Sequence, residues 1–346
     1  MSGALRIGVV GGGWGRAHID NYLANKNVRL VAFADTDAKR REDTVSKYGI
    51  PKSYSSAEEM YEKAKLDVVS IATPNKFHMP LTIAALKAGC HVLCEKPMAM
   101  NAREAQEMLE SAEKANRRVM INFGFRFNPQ SQALKKAVDR GTIGDIYFGR
   151  SVWLRRRNLP GFGGWFGRKE ISGGGALIDL GVHRLDLALW LMGFPEPACV
   201  MGSTYNYLGT EAAREEGKSF DVEDFAAGFV KFKNGATLEI EASWAGHIRE
   251  RELMHTRLLG TRGGFLQRNL NEGYEFVSEI FTEEDGVHYN MTPAPPYPPA
   301  PNAMEHFVES ILNDTPHTAT GEEGLIVMQL LDAIYESATT GQPVKL

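Results

Sequence analysis

The chain has 346 residues, of which 39 are basic and 43 acidic, so its formal net charge is −4. This length favours two domains, and the charge balance, with a single basic cluster at 155–157, argues against nucleic-acid binding. Three cysteines, Cys90, Cys94 and Cys199, are too few for a disulfide framework and form no Cys-x-x-Cys pair. We therefore expect a cytoplasmic protein without a metal site. Neither a signal-like segment nor eighteen consecutive apolar residues occur, so neither export nor membrane insertion is expected.

The first third of the chain alternates continuous apolar runs with helical patterns. Continuous apolar runs are typical of parallel strands buried on both faces. Helix starts are indicated at Ser55 or Ser56 and at Asn101, which has a glutamate three residues later, as in a capping box. The succession predicts a doubly wound α/β domain, with strands at 5–10, 30–34, 68–72, 91–94 and 119–122.

The pattern changes after residue 123. A helix at 129–139 precedes longer runs of alternating polarity, such as 146–154, and Asn234-Gly235 between two such runs predicts a type I′ hairpin. Helices are expected at 302–312 and 323–338. We predict an α/β protein with an N-terminal Rossmann domain in residues 1–122 and a C-terminal α+β domain in residues 123–346.

A glycine-rich loop joins the first predicted strand to the first predicted helix. It consists of Gly11, Gly12, Gly13, Trp14 and Gly15, and is one residue shorter than the G-x-G-x-x-G pattern. Backbone amides and a helix N-terminus at such a place can hold a pyrophosphate. Asp35 ends the second strand, where a carboxylate accepts hydrogen bonds from the ribose and disfavours a 2′-phosphate. NAD is therefore preferred over NADP, although the basic residues at 39–41 keep NADP open.

The ends of two further predicted strands also carry residues that suit a dinucleotide site. Thr73 and Asn75 follow the fourth strand, with His78 at the next helix start, and the apolar run at 91–94 ends in Glu95-Lys96-Pro97. Loops at the carboxyl ends of parallel strands border the ligand. We expect Thr73, Asn75, Glu95 and Lys96 at the cofactor. His78 is a further cofactor candidate, although a helix-start residue with no catalytic role is the alternative that we favour.

A later helix has an acid-histidine stripe. Asp179, His183 and Asp186 follow three glycines at i, i+4 and i+7 spacing, and leucines form a separate stripe suited to core packing. The polar stripe faces either bulk water or a polar cleft. A surface pair at i, i+4 has the same spacing, so this segment alone does not settle catalysis.

Together these motifs resemble the glucose-fructose oxidoreductase / inositol dehydrogenase / MocA family, and the resemblance covers the whole chain. The Glu95-Lys96-Pro97 element and the Asp179-x-x-x-His183 element, about eighty residues apart, are its most specific parts. The resemblance implies a substrate cleft between a Rossmann domain and an α+β domain with an open, mostly antiparallel sheet. It also implies hydride exchange with a sugar or cyclitol, and a homodimer or homotetramer assembled through the sheet of the substrate domain.

The resemblance also implies roles for individual residues. His183 is the general base, Lys96 polarises the reacting oxygen, and Asp179 binds a neighbouring hydroxyl. Asp186 is interpreted as structural. Candidates for the far wall of the sugar site are Arg126, Arg155 or its neighbours at 156 and 157, and Trp165.

Two other functions compete with a dehydrogenase. The same architecture can retain NAD for redox-assisted glycoside hydrolysis, and the sequence discriminates poorly between these reactions. A non-catalytic dinucleotide sensor is the other alternative. The joint presence of Lys96, Asp179 and His183 argues against it.

Overall fold

The computed structural model describes residues 3–346, which divide into two compact units. One unit contains the chain up to Phe123 together with Pro301–Met328, and the other contains Gly124–Ala300 and Gln329–Leu346. The sequence-based division into 1–122 and 123–346 differs from this one because residues 301–328 return to the first unit. Arg118 explains part of that return, since its guanidinium donates hydrogen bonds to the carbonyl oxygens of Ser310 and Thr315, both at 2.6 Å.

The first unit is built on a six-stranded sheet in which all pairs of neighbours are parallel. The strand order β3-β2-β1-β4-β5-β6 is that of a dinucleotide-binding fold, and it reverses between β1 and β4, where dinucleotides bind. The predicted strands are confirmed within two residues, whereas the two-residue strand β3 was not predicted. The strands are β1 (Leu5–Val10), β2 (Val28–Ala34), β3 (Ser53–Tyr54), β4 (Val68–Ile71), β5 (His91–Cys94) and β6 (Val119–Ile121).

Several helices begin at the capping residues that the sequence indicated. The side chains of Ser56 and Asn101 accept hydrogen bonds from the backbone N–H groups of Glu59 and Glu104, at 3.2 and 3.0 Å. Within residues 3–346, no helix combines the length and hydropathy needed to cross a membrane. The α-helices are α1 (Gly15–Leu23), α2 (Ala38–Tyr48), α3 (Ala57–Lys63), α4 (His78–Lys87), α5 (Ala102–Ala115), α6 (Pro129–Asp139), α7 (Lys169–Ser172), α8 (Val182–Met192), α9 (Tyr207–Glu215), α10 (Ala303–Leu312) and α11 (Gly321–Thr340).

The second unit is built on a nine-stranded sheet of order β14-β13-β12-β11-β7-β10-β9-β8-β15. Only the central β7–β10 pair is parallel, so the mostly antiparallel sheet that the sequence predicted is confirmed. The strands are β7 (Ile146–Arg155), β8 (Pro197–Tyr205), β9 (Phe225–Phe232), β10 (Thr237–Ser243), β11 (Glu252–Gly260), β12 (Gly263–Leu270), β13 (Glu275–Glu284), β14 (Val287–Met291) and β15 (Val344–Lys345).

The β9–β10 hairpin exists, but its turn differs from the predicted type I′. A type I′ turn needs positive φ at both central residues, and Gly235, at +89°, is the residue of this turn with positive φ. The Gly235 N–H donates to the Phe232 carbonyl oxygen, and the Phe232 N–H donates to the Ala236 carbonyl oxygen. This is a three-residue loop in which glycine follows an ordinary turn. The Asn234 side chain stabilises it by accepting a hydrogen bond from the Ala236 N–H at 3.0 Å.

Candidate active site

The short glycine loop places its first and last glycines where a dinucleotide-binding loop needs them. Gly11 has φ of +93°, and a Cβ there would lie against the carbonyl oxygen of Ala72. Gly15 is the first residue of α1, and a Cβ there would lie 3.1 Å from the Val9 side chain. Gly11 therefore forms the tight turn, and Gly15 allows close packing of helix on strand, which are the roles of the first and third glycines. The loop is shorter by one residue between these two positions.

The Asp35 carboxylate is fixed beside this loop and is only 7 % exposed. Its Oδ2 accepts a hydrogen bond from the Gly12 N–H at 2.6 Å, and its Oδ1 accepts one from the Asp37 N–H at 2.8 Å. A fixed carboxylate at the end of β2 suits a ribose, and the amides near the start of α1 suit a pyrophosphate. Arg40 Nη1 lies 3.5 Å from Asp35 Oδ2, so the guanidinium that could meet a 2′-phosphate contacts Asp35 instead. These residues fit NAD.

Lys96 is the one residue in the stretch 92–99 that is not buried. Beside it, the buried Glu95 carboxylate receives three hydrogen bonds or ion-pair contacts: His18 Nε2 at 2.7 Å, the Asn122 amide at 2.6 Å and the Lys96 N–H at 3.2 Å. Burial raises the pKa of Glu95, but His18 and Asn122 outweigh it, and the net pKa lies below the ordinary 4.5. A buried carboxylate thus fixes the backbone from which the Lys96 side chain extends.

His78 joins the two loops that follow β4 and β5. Its ring is fully buried, with Nδ1 lying 2.7 Å from the Pro97 carbonyl oxygen and Nε2 lying 2.9 Å from the Thr73 carbonyl oxygen. Burial lowers the pKa of His78, against the effect of these carbonyl groups. We therefore assign His78 to positioning the loops of Thr73 and Lys96 rather than to touching a cofactor. Thr73 is half-buried and Asn75 is buried at the start of the 3₁₀ turn Asn75–Phe77.

In the second unit, Asp179 and His183 are the only residues of the stretch 177–191 that are not buried. Asp179 lies in a π-helical turn, Leu177–Gly181, that leads directly into α8. π-Helical turns are frequent at functional sites. The acid and the histidine therefore form the accessible edge of an otherwise buried segment.

Asp179 is held by an aromatic group that sequence reasoning missed. The indole Nε1 of Trp244, a residue that is 1 % exposed, donates a hydrogen bond to Asp179 Oδ2 at 2.9 Å. Phe166 packs edge-on against Trp244, and the half-buried Trp165 stacks on Phe166 with ring centroids 3.9 Å apart. This chain of rings connects the Trp165 surface to the Asp179 carboxylate. An aromatic face of this kind suits the apolar face of a sugar ring.

His183 is held by aromatic packing. Its ring lies 5.2 Å from the Phe125 ring, edge to face, and 5.5 Å from the Trp153 ring. Trp153 is fixed in turn because its Nε1 donates to the buried Glu252 carboxylate at 2.7 Å. These ring contacts therefore orient the imidazole even when no substrate is bound.

The structure corrects one predicted substrate contact and limits another. Arg126 has no exposed surface, and its guanidinium pairs with the Asp186 carboxylate through Nε at 2.9 Å and Nη2 at 2.6 Å. Because it is fully buried in this ion pair, we no longer assign Arg126 to the sugar site, and the structural interpretation of Asp186 agrees with the pairing. Arg155 donates to Glu252 at 2.7 Å, and its side chain keeps 15 % exposure.

The positioning groups were missed because they are distant in sequence from the residues that they hold. His18 and Asn122 contact Glu95 across separations of 77 and 27 residues, and Trp244 contacts Asp179 across 65. One local signal existed for His18: a histidine three residues into α1, on the side that packs against the sheet, is fully buried and needs polar partners.

Comparisons with known proteins agree with this geometry. The 346 residues are 33 % identical to D-glucoside 3-dehydrogenase of Escherichia coli, covering 100 % of this chain and 98 % of that protein. Levoglucosan dehydrogenase of Pseudarthrobacter phenanthrenivorans is 30 % identical over 76 % of this chain and 73 % of its own length. A solved levoglucosan dehydrogenase in complex with NADH has a TM-score of 0.87 and 25 % identity, with 99 % of each chain covered.

Two models of a single family together match most of the chain. The model described as the oxidoreductase family, NAD-binding Rossmann fold, matches residues 5–123, and the corresponding C-terminal alpha/beta domain model matches residues 135–346. The matched regions contain the glycine loop, Lys96 and the Asp179–His183 pair. The chain belongs to the GFO/IDH/MocA family of NAD-binding oxidoreductases.

Proposed function

We propose that this protein is an NAD-dependent dehydrogenase that interconverts a secondary hydroxyl and a ketone on a sugar or cyclitol. The exposure pattern is the main support, because Lys96, Asp179 and His183 are each accessible on elements that are otherwise buried. Buried elements rarely present ionisable groups without a function. Similarity over the full chain to a glucoside 3-dehydrogenase adds a pyranoside to the candidate substrates.

Each residue has a distinct chemical task in this proposal. Bound NAD supplies the acceptor for the hydride that leaves the carbinol carbon. The His183 imidazole takes the hydroxyl proton, the Lys96 ammonium stabilises the negative charge that develops on the oxygen, and Asp179 accepts a hydrogen bond from a neighbouring hydroxyl. The alcohol thus loses a hydride and a proton and becomes a ketone. In the opposite direction His183 returns the proton.

The cofactor would be held by residues of the first unit. The loop at 11–15 would bind the pyrophosphate, Asp35 the adenosine ribose, and Thr73 with Asn75 the nicotinamide half. Because Asp35 is a fixed carboxylate, NAD should be used in preference to NADP. Replacing Asp35 by Ser should reduce the ratio of kcat/KM values for NAD and NADP by about tenfold or more, the loss of roughly one charged contact. Equal use of both cofactors by the unmodified protein would contradict the assignment.

A substrate screen tests the reaction itself. Purified protein is incubated with NAD and a panel of glucosides, free pyranoses, inositols and simple aliphatic alcohols, while reduced cofactor is followed by absorbance. We expect turnover with a ring polyol or pyranoside and negligible turnover with aliphatic alcohols. Release of an aglycone without net NADH would instead indicate redox-assisted hydrolysis. NAD binding without either reaction would indicate a sensor.

We further propose that the protein forms a homodimer or homotetramer through the open face of its large sheet. Met201 on β8 and Phe229 on β9 are paired in register, and each is 42 % exposed. On the same face, Arg150 of β7 pairs with Glu241 of β10. A second copy would therefore contact apolar side chains as well as charges of both signs. Phe229→Glu should lower the molar mass measured by light scattering. A monomeric unmodified protein would refute this arrangement.

The cellular setting is proposed on the basis of the thiols. Cys90, Cys94 and Cys199 are all free, and the first two are buried. Burial raises the pKa of Cys90 to about 11, which keeps its thiol unreactive. A cytoplasmic location fits these thiols, and fractionation of cells expressing the protein tests it.

A further inference from the structure

Arg184, which directly follows His183, has its charge in an unusual environment. Its side chain is fully buried, and within residues 3–346 no protein group accepts a hydrogen bond from Nε, Nη1 or Nη2 of its guanidinium. Burial lowers its pKa to about 9, so the group remains charged at neutral pH. A buried charge without a hydrogen-bonding partner is strongly destabilising. Such a group is a candidate for a functional role.

The guanidinium of Arg184 lies among the aromatic rings that also hold His183. Its central carbon is 4.5 Å from the Phe125 ring centroid, 5.5 Å from that of Trp153 and 5.1 Å from that of Phe276. The His183 ring lies against two of the same rings, at 5.2 and 5.5 Å. Cation–π contacts of this kind offset part of the desolvation of the guanidinium. The Arg184 guanidinium and the His183 imidazole thus both pack against the rings of Phe125 and Trp153.

Other charges around α8 are largely compensated. Arg126 pairs with Asp186 on α8, and Arg155 of β7 pairs with Glu252 of β11 beside the Tyr274 hydroxyl. His255 of β11 is uncharged at neutral pH because its pKa is lowered to about 4, first by burial and then by nearby arginines that include Arg184. Within residues 3–346 and apart from Asp179, the remaining charged side chains on elements packed against α8 are Lys135 with Asp139 and the exposed Lys136 on α6, Arg150 with Glu239 and Glu241 on the exposed sheet face, and the exposed Arg257.

Two charges on the same segment as His183, those of Asp179 and Arg184, therefore have opposite effects on the pKa of the imidazole. The Asp179 carboxylate favours the imidazolium form, but it is partly exposed and accepts a hydrogen bond from Trp244, so solvent and the indole both weaken its effect. The Arg184 charge disfavours the imidazolium and acts through apolar rings, where screening is weak. The arginine should have the larger effect.

We propose that Arg184 is a positioning residue that keeps the His183 imidazole neutral and oriented through the shared Phe125 and Trp153 rings. This inference extends the proposed function, because a neutral imidazole is the form that accepts a proton from an alcohol. It does not depend on the identity of the sugar. Arg184 contacts the Phe125 and Trp153 rings that pack on His183, and this role requires no contact with substrate.

The titration of His183 tests the inference directly. Full-length protein is labelled with ¹³C in the histidine rings, and the nine ring signals are followed by NMR as the pH is varied. His183→Asn identifies the signal of interest by its loss. In the unmodified protein the His183 pKa should lie below 6.5, the ordinary value for histidine.

Arg184→Met removes the charge and keeps an apolar side chain of similar length. It should raise the His183 pKa by about one unit, whereas the matched control Arg140→Met, at the exposed end of α6, should leave it within a few tenths. An unchanged or lowered His183 pKa in Arg184→Met would overturn the inference. If Arg184→Met does not fold, the titration of the unmodified protein still tests the inference, because a His183 pKa at or above 6.5 would overturn it.

Kinetics separate this inference from the proposed function. On a substrate found in the screen, the acid limb of kcat/KM for oxidation should move to higher pH in Arg184→Met, by the same amount as the NMR titration. Well below both midpoints, the rate should fall about tenfold for a shift of one unit. If the NMR shift occurs and the acid limb stays in place, Arg184 controls His183 as inferred but His183 is not the base. If neither moves, the inference fails while turnover of the polyol still supports the proposed function.

Discussion

The two regions that present reactive side chains are held by different physical means. Lys96 extends from a strand end that is fixed by a polar network of Glu95, His18 and Asn122, with distances of 2.6 to 2.7 Å between their paired atoms. His183 lies against aromatic rings, and two of the same rings pack on the buried guanidinium of Arg184. A polar network fixes position but is sensitive to the loss of any member. Aromatic packing orients a ring through its shape and its quadrupole, and a charge nearby can then set the basicity of the imidazole.

Removing the Lys96 ammonium should have the largest effect. Lys96→Met should lower kcat by about two or more orders of magnitude, because a positioned charge is lost from the transition state. NADH binding, measured by fluorescence titration, should persist. Lys76→Met, at an exposed position after β4, is the matched control and should retain full turnover. Near-normal turnover of Lys96→Met on the true substrate would remove Lys96 from the mechanism.

His183→Asn should lower the oxidation rate by about two orders of magnitude, the effect of losing a general base. It should also abolish the acid limb of the pH profile, since asparagine does not titrate. Lys96→Met should keep that limb, and this difference separates the two roles. A His183→Asn enzyme with an intact acid limb would show that another group takes the proton.

The polar network predicts a pH-dependent stability at acidic pH, set by the Glu95 carboxylate. The folded-state pKa of Glu95 lies below 4.5, so its contribution is complete above that pH and is lost as the pH falls from 4.5 through the lower folded value. Glu95→Gln should reduce the free energy of unfolding by about 3 kcal/mol at pH 7, because His18 loses its buried partner. The difference from the unmodified protein should shrink on acidification, as measured by urea unfolding at pH 7 and pH 4. Equal differences at both values would contradict the role of the carboxylate.

The smallest effect is expected at Trp244. Trp244→Phe keeps the aromatic contact with Phe166 but removes the hydrogen bond to Asp179. It should raise KM for the sugar roughly three- to tenfold, in line with the roughly 1 kcal/mol that a typical hydrogen bond contributes. The dissociation constant for NAD should not change. Trp190→Phe, on α8, is a matched control whose indole has no contact with Asp179 among those observed. An unaltered KM in Trp244→Phe would show that Asp179 does not need the indole.

Sequence patterns predicted the elements more completely than the contacts between them. The strands of the first unit and the helix Pro129–Asp139 follow from local periodicity and capping, which depend on nearby residues. The return of residues 301–328 to the first unit depends on contacts such as Arg118 with Ser310, which no local pattern encodes. In the same way, motifs are enough to make Lys96 and His183 candidates, whereas the environment of Arg184 depends on Phe125, Trp153 and Phe276 from three separate segments. An arginine adjacent to a helix histidine would otherwise be expected at the surface.

The π-helical turn at Leu177–Gly181 limits how this site can be moved to another scaffold. A π-helical turn contains one residue more than an α-helical turn, so the residues before and after it do not share the angular spacing of a regular helix. Grafting Asp179 and His183 as an i, i+4 pair onto an ideal designed helix would therefore rotate the carboxylate around the axis relative to the imidazole. Deleting a single residue from this turn would do the same within the protein itself, rotating Asp179 away from Trp244 by about 100°, the angle between successive residues of a 3.6-residue helix. Transplantation of the acid-histidine pair requires the irregular turn as well as the two side chains.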